Sequence, residues 1–217
     1  MKIIAVTGGS GSGKTLFTNL LVERLQKKTA VLPLDCYYKD RPDQIPNDKY
    51  DFDSPQAFDF DLYNQHLNLL NSGESVKMPH FGYETGKRES GFTEIIPEEY
   101  LIIEGLHVLL HPKIRGMLSF SFFMDSPLDV AVCRRCIRDI KEYDVTAEYS
   151  LNQFLKFVRP AYFEYILPAK KHSTLVVENK FQTRLDLFLD DFFLNNQLFL
   201  LQFDLPQISE ESCVTYP

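Results

Sequence analysis

A glycine-rich octapeptide, Gly8-Gly9-Ser10-Gly11-Ser12-Gly13-Lys14-Thr15, follows the apolar run Ile3-Ile4-Ala5-Val6 and precedes a helical pattern beginning near Leu16. Strand, glycine-rich loop and helix in that order is the context in which G-x-x-x-x-G-K-[ST] forms a phosphate-binding loop. Gly8 and Gly13 let backbone N–H groups curl around a phosphate without Cβ clashes. Lys14 has the reach for β- and γ-phosphates, Thr15 can ligate Mg²⁺, and the following helix offers its positive end. The expectation is a nucleoside triphosphate bound by residues 8–15.

A phosphate loop of this kind belongs at the carboxyl edge of an α/β sheet, and the rest of the chain supplies one. Short apolar runs predict strands at 2–7, 30–34, 100–103, 120–125 and 175–177. Helical patterns predict helices at 15–26, 60–71, 127–143, 151–167 and 183–193. Alternation at this spacing implies a five-stranded parallel sheet with helices on both faces. Ligands of such sheets bind at the carboxyl ends of the strands. The loop after Val6, Asp35 after the second strand and Glu104 after the third all fall there. Residues 77–93, with Pro79, Gly82, Gly86 and Gly91 among aromatics, interrupt the alternation as an inserted hairpin. One domain is expected over 1–195, with an apolar stretch at 198–203 packing on it or at a subunit contact. Beyond that the tail, to 217, turns polar and is expected to be partly disordered.

Composition excludes several alternatives. A net charge of −7 disfavours a nucleic-acid partner and an anionic membrane surface. No 18-residue apolar run predicts a membrane span, and the N-terminus enters a strand directly, so a cytoplasmic location is expected. Cys133 and Cys136 form a C-x-x-C inside a basic helical run with no second Cys/His pair, and read as helix composition rather than a metal or redox site. Cys36 is notable for its neighbours, and Cys213 lies in the tail.

What happens to the phosphate depends on a second set of residues. Asp35 in Leu34-Asp35-Cys36-Tyr37-Tyr38 stands where a carboxylate can face a γ-phosphate and take a proton from an attacking hydroxyl. Asp53 precedes Ser54-Pro55, which can open a helical turn, and one carboxylate can accept from two adjacent hydroxyls. Glu104-Gly105 ends an apolar strand, the place for an acid that orients Mg²⁺ or its water. Arg134, Arg135 and Arg138 form a basic cluster in which Arg134 and Arg138 share a helical face. Such a cluster suits either a phosphoryl-binding lid or a salt-bridged surface.

Taken in order over residues 1 to about 180, these segments resemble the uridine–cytidine kinase family of the phosphoribulokinase/uridine kinase group. GGSGSGKT, LDCYY, YDFDSPQAFD, IIEGLHVL, RRCIRDI and FVRPAYFEYILPAKKHSTLVV carry the resemblance. It implies a P-loop kinase fold with a helical lid near 134–150, ATP and Mg²⁺ as cofactors, and a nucleoside-like acceptor. Asp35 would be the general base on a ribose 5′-hydroxyl; Tyr38, Phe81 and Gln153 would line the nucleoside site, and Asp53 with Arg135 would hold the 2′- and 3′-hydroxyls. Lys14 and Arg138 would reach ATP phosphates, and Thr15 with Glu104 would serve Mg²⁺. The family often forms homo-oligomers, so a tetramer or dimer is the implied state.

The chain departs from the family at the acceptor end. Phe81 stands for a tyrosine and Gly86 for a histidine at the pyrimidine edge, and Tyr143 and Val145 stand where the lid carries arginines. A site without those groups loses part of its discrimination between bases. Three functions therefore compete: a pyrimidine nucleoside kinase, a kinase of the same fold with another hydroxylated acceptor, and a non-catalytic nucleotide-binding protein.

Overall fold

The structure, a computed structural model, describes residues 1–25, 28–181 and 183–196. The 198–203 stretch, the polar tail and Cys213 lie outside the described residues.

Five strands form one parallel sheet: β1 (Lys2–Gly8), β2 (Thr29–Pro33), β5 (Tyr100–Glu104), β6 (Phe120–Asp125) and β7 (Leu175–Glu178), in the order β2-β5-β1-β6-β7. A second, antiparallel pair, β3 (Val76–Gly82) and β4 (Lys87–Ile95), is the inserted hairpin. The apolar runs extend into strands because both faces of the central ones are covered, leaving β5 buried throughout. Alternation sorts the side chains. Ile3, Ala5, Leu101 and Ile103 enter one core, while Ile4, Val6, Ile102 and Phe122 enter the other.

Helices α1 (Lys14–Leu25) and α8 (Leu185–Asn195) cover the second core. Helix α2 (Phe60–Asn71) packs against the first, its N-terminus capped by the Asp59 carboxylate on the Leu62 N–H at 3.1 Å. A one-turn helix α3 (Pro112–Arg115) follows β5, and α4 (Leu128–Tyr143) follows β6. The helix expected at 151–167 starts earlier and runs longer. Thr146 accepts from the Tyr149 N–H at 3.1 Å and starts α5 (Ala147–Gln153). The chain then stays helical through α6 (Arg159–Ala161) and α7 (Leu167–Ala169), joined by wider π turns at Phe154–Val158 and Tyr162–Ile166. Each π turn immediately precedes a helical turn containing a proline, Pro160 or Pro168. Proline donates no N–H and crowds the turn before it, and widening that turn relieves the clash.

β1 leads away to β2 on one side, while β6 leads to β7 on the other. The crossovers diverge beside the end of β1, where an open α/β sheet leaves a crevice. Gly8 at the end of β1, Asp35 just beyond β2 and Glu104 at the end of β5 all reach it. Among the described residues, no helix is long and apolar enough to cross a membrane.

Helix α1 must stay seated on the sheet for the glycine loop to hold its shape. Leu21, fully buried between α1 and the sheet, carries that contact. Leu21→Ala is expected to cost about 2–5 kcal/mol, seen as a lower urea midpoint with an unchanged slope.

Candidate active site

The loop at residues 8–15 is held tightly by its neighbours. Gly11 has φ +76°, and a Cβ there would come within 2.1 Å of the Ala131 carbonyl oxygen at the start of α4. Gly13 has φ +90°, and its Cβ would meet Asn179 Nδ2 at 2.6 Å. Only glycine satisfies both the backbone and the space. Asn179, buried just past β7, donates from Nδ2 to the Ser12 carbonyl at 2.8 Å and pins the loop from below. Lys14 Nζ donates to the Gly9 carbonyl at 3.1 Å, folding the ammonium over its own loop. Burial lowers the Lys14 pKa, with Glu104 and Asp35 opposing the shift.

Three acids face this ammonium. Thr15 Oγ1 lies 3.3 Å from both Glu104 carboxylate oxygens, and burial raises the Glu104 pKa. The pair offers two hard oxygen donors beside the phosphate loop, the set Mg²⁺ takes when phosphates and water complete its octahedron. Asp35 sits in a short 3₁₀ helix, Leu34–Tyr37, directly after β2. Its Oδ1 is buried with no hydrogen-bond partner, and burial raises its pKa against the pull of Lys14, Arg138 and Arg135. Asp53 is 7 % exposed, and burial pushes its pKa to about 6, with Arg135 opposing and Asp51 adding to the rise. The Asp51 carboxylate in turn accepts the N–H groups of Asp53 and Ser54, at 3.0 and 3.1 Å.

The basic cluster divides. Arg135 Nη1 donates to Ser10 Oγ at 2.7 Å, and Arg138 donates to Asp139 through Nε and Nη2 at 3.2 and 2.8 Å. Both line the crevice. The buried Asp139 carboxylate anchors them, with Arg135 Nε at 3.3 Å and Ser150 Oγ donating to it at 2.7 Å. Arg134 turns the other way and donates to the Lys180 carbonyl at 2.8 Å, tying α4 to the chain after β7. The cluster thus splits, with Arg134 bonded to carbonyls past β7 and Arg135 and Arg138 paired with Asp139 at the crevice.

The crevice encloses a cavity of about 240 Å³. Lys14, Thr15, Asp35 and Glu104 line it together with aromatics including Tyr50, Phe52, Tyr83 and Tyr149. Tyr38 and Gln153 also line it, though Gln153 Nε2 is donated to the Asp48 carbonyl at 2.8 Å. The Tyr38 ring is stacked on Phe58, centroids 4.2 Å apart. Phe81 requires a correction: it does not line the cavity but packs behind Tyr38, centroids 5.0 Å apart, against the first core. A register shift in β3 between Pro79 and Phe81 interrupts the strand's alternation, and Phe81 packs on the first core while Tyr83, past the strand's end, lines the cavity. Gly86 lies in the hairpin turn at φ +65°, and the space a side chain would take there holds Arg41 and Asn47. Tyr143 and Val145, the lid replacements, both line the cavity, and the Tyr143 ring meets Tyr83 at 5.6 Å.

Cys133 is exposed, Cys136 half-buried, and both are free thiols. Among the described residues no three His, Cys, Asp or Glu side chains are grouped to hold a metal. Burial pushes the Cys36 thiol up to about 11, which leaves it unreactive at neutral pH. Tyr83, Asn179 and His107 are the site residues that sequence reasoning missed. For Tyr83 the register shift before Phe81 hid the signal; for the other two the partners are remote in sequence.

The family model described as Phosphoribulokinase / Uridine kinase family matches residues 3–185. The chain is 35% identical over 182 residues to a uridine kinase of Vibrio atlanticus, covering 81% of this chain and 85% of that one. It is 33% identical, over the same shares, to a uridine kinase of Proteus mirabilis. Among solved structures, a putative fructose transport system kinase from Silicibacter aligns with a TM-score of 0.65 at 20% identity, covering 81% of this chain and 89% of that one. Phosphoribulokinase from Rhodobacter spheroides aligns at 0.62 and 16% identity, covering 85% and 72%. The structural likenesses show the P-loop kinase fold.

A buried carboxyl whose folded pKa lies above its unfolded value stabilises the fold at low pH and loses that contribution as pH rises through the folded value. For Asp53 the window runs from the ordinary aspartate range to about 6. The stability advantage of Asp53→Asn over the wild type is therefore expected to grow by about 2 kcal/mol between pH 4 and pH 7. Urea denaturation across that range reads it, and a constant difference would refute it.

Proposed function

The chain belongs to the phosphoribulokinase/uridine kinase family and is an enzyme, a nucleoside kinase; on that premise we propose that it transfers the γ-phosphoryl of ATP to the 5′-hydroxyl of a pyrimidine nucleoside. The observation that carries this reading is Asp35. Its carboxyl lines a cavity that Lys14, Asp53 and Arg135 also line, and its buried Oδ1 has no protein partner. An unpartnered acceptor there is free for a substrate hydroxyl, and burial raises its basicity toward what general-base catalysis needs.

In this reading the 5′-hydroxyl donates its proton to Asp35 as its oxygen attacks the γ-phosphorus, and the bond to the ADP oxygen breaks. Lys14 and Arg138 hold the charge spread over the transferring oxygens. The backbone of residues 8–15, with Ser10 and Ser12, cradles the phosphates. Thr15 and Glu104 would hold Mg²⁺, which when bound neutralises charge between the β- and γ-phosphates. The Asp53 carboxylate and Arg135 hold the ribose 2′- and 3′-hydroxyls, while Tyr38 and Gln153 flank the nucleoside. The charge needed to ionise Asp53 comes from Arg135, which already opposes its raised pKa. Closure of the lid around 134–150 excludes water from the transfer.

A second reading, another hydroxylated acceptor on the same fold, is favoured by the hairpin. Phe81 packs against the first core, Gly86 presents no side chain, and much of the cavity wall is built of rings. Rings stack on a planar base without reading its edge.

Purified protein with ATP, Mg²⁺ and uridine is expected to release ADP and form UMP, and Asp35→Asn to lower kcat by about 10²- to 10⁴-fold. ATP binding should survive that substitution. Folded protein that forms no UMP but phosphorylates another acceptor in a panel of nucleosides and sugar phosphates would establish the second reading.

A further inference from the structure

His107 is 1 % exposed and stands three residues past Glu104 on the loop that follows β5. Its Nε2 lies 2.8 Å from the backbone carbonyl of Asp53. A carbonyl only accepts, so Nε2 carries the proton and Nδ1 is left as a lone pair. That Nδ1 is buried with no hydrogen-bond partner. Phe58 and Tyr165 close around the ring, with centroids 5.4 and 6.0 Å away. Burial also pushes the imidazole pKa down to about 4, so the ring is neutral wherever the protein is folded near neutrality.

An imidazole with one nitrogen orphaned in a core is a poorer packing choice than leucine. What it supplies is the one bond made by the other nitrogen. The bond runs between two functional segments 54 residues apart in the chain. On the His107 side the loop is itself fixed: Thr7 Oγ1, one residue before Gly8, donates to the carbonyls of Gly105 and Leu106 at 2.8 and 3.1 Å. On the Asp53 side the N–H is held by the Asp51 carboxylate, so His107 takes the other end of the same residue. A bonded path then leads from the strand that carries the glycine loop, through Thr7 and residues 105–107, to the backbone of Asp53.

We propose that His107 is a positioning residue for phosphoryl transfer: its Nε2–H fixes the Asp53 backbone relative to the glycine loop and so sets where the acceptor's ribose sits against the γ-phosphate. The inference rests on the reading of Asp53 as an acceptor-binding residue. It assigns His107 no contact with substrate and no proton to transfer.

Replacement by leucine removes the bond and the orphaned nitrogen together, while glutamine keeps a donor where Nε2 stands. His107→Leu is expected to melt no lower than the wild type. Its kcat/KM for uridine should fall by roughly 10- to 100-fold, through a higher uridine KM and a lower kcat, with the KM for ATP unchanged. His107→Gln should restore most of the loss. If the leucine variant does not fold, His107→Gln set against His107→Asn makes the same comparison, because asparagine is too short to place a donor at Nε2; asparagine should then lower kcat/KM for uridine and glutamine should not. An unchanged kcat/KM for uridine, a parallel rise in the ATP KM, or no rescue by glutamine in an active enzyme would overturn this inference alone. A folded wild type inactive on every nucleoside would overturn the kinase reading and this inference with it.

Discussion

Lys14 is buried, and the organisation of the crevice follows from that burial. An ammonium removed from water loses several kcal/mol of solvation, which one partner at ordinary distance does not return. Here Glu104 and Asp35 oppose its lowered pKa most strongly, and Asp53 adds a smaller contribution. The same compensation runs in reverse. Asp35 and Asp53 are pushed toward neutrality by their own burial and held back by Lys14, Arg135 and Arg138. Each charge depends on several others, and they are brought together by five separate stretches of chain. The parallel sheet makes that possible, because its strands deliver Gly8, Asp35 and Glu104 to one edge.

Where function depended on local pattern, it was legible in the sequence. The five strands of the sheet and the helix at 60–71 follow from apolar period and turn residues, and the glycine loop from its spacing. The hairpin announced itself by its glycines and proline. The long helix from Ala147 was legible only in part: the pattern at 151–167 runs through Pro160 but stops before Pro168, where a widened turn carries the chain on. Side-chain destination was harder still. Arg134 and Arg138 share a face by helical geometry, yet Arg135 and Arg138 meet the crevice because Asp139 gathers those two and the carbonyls past β7 take the third. Phe81 and Tyr83 lie two residues apart, and which of them meets a ligand depends on where the strand ends.

His107 and Asn179 could not be read from the chain at all. Asn179 holds Ser12 from 167 residues away, and His107 holds Asp53 from 54. Neither belongs to a spacing motif, and each acts on backbone rather than on ligand. The match of residues 3–185 to one family and the 35% identity to a uridine kinase fix the kind of enzyme more firmly than they fix the acceptor. Rings line much of the cavity that Asp35 and Asp53 share, with Tyr83 of the hairpin against Tyr143 at the end of α4.

Phosphorus NMR of the protein with ATP, Mg²⁺ and uridine tests the central claim most directly, because it reports both the transfer and the atom that receives it. Transfer to the 5′-oxygen produces a phosphomonoester resonance split into a triplet by the two 5′ protons as the γ-phosphate signal disappears. A doublet, inorganic phosphate alone, or an unchanged ATP spectrum from folded protein would contradict it.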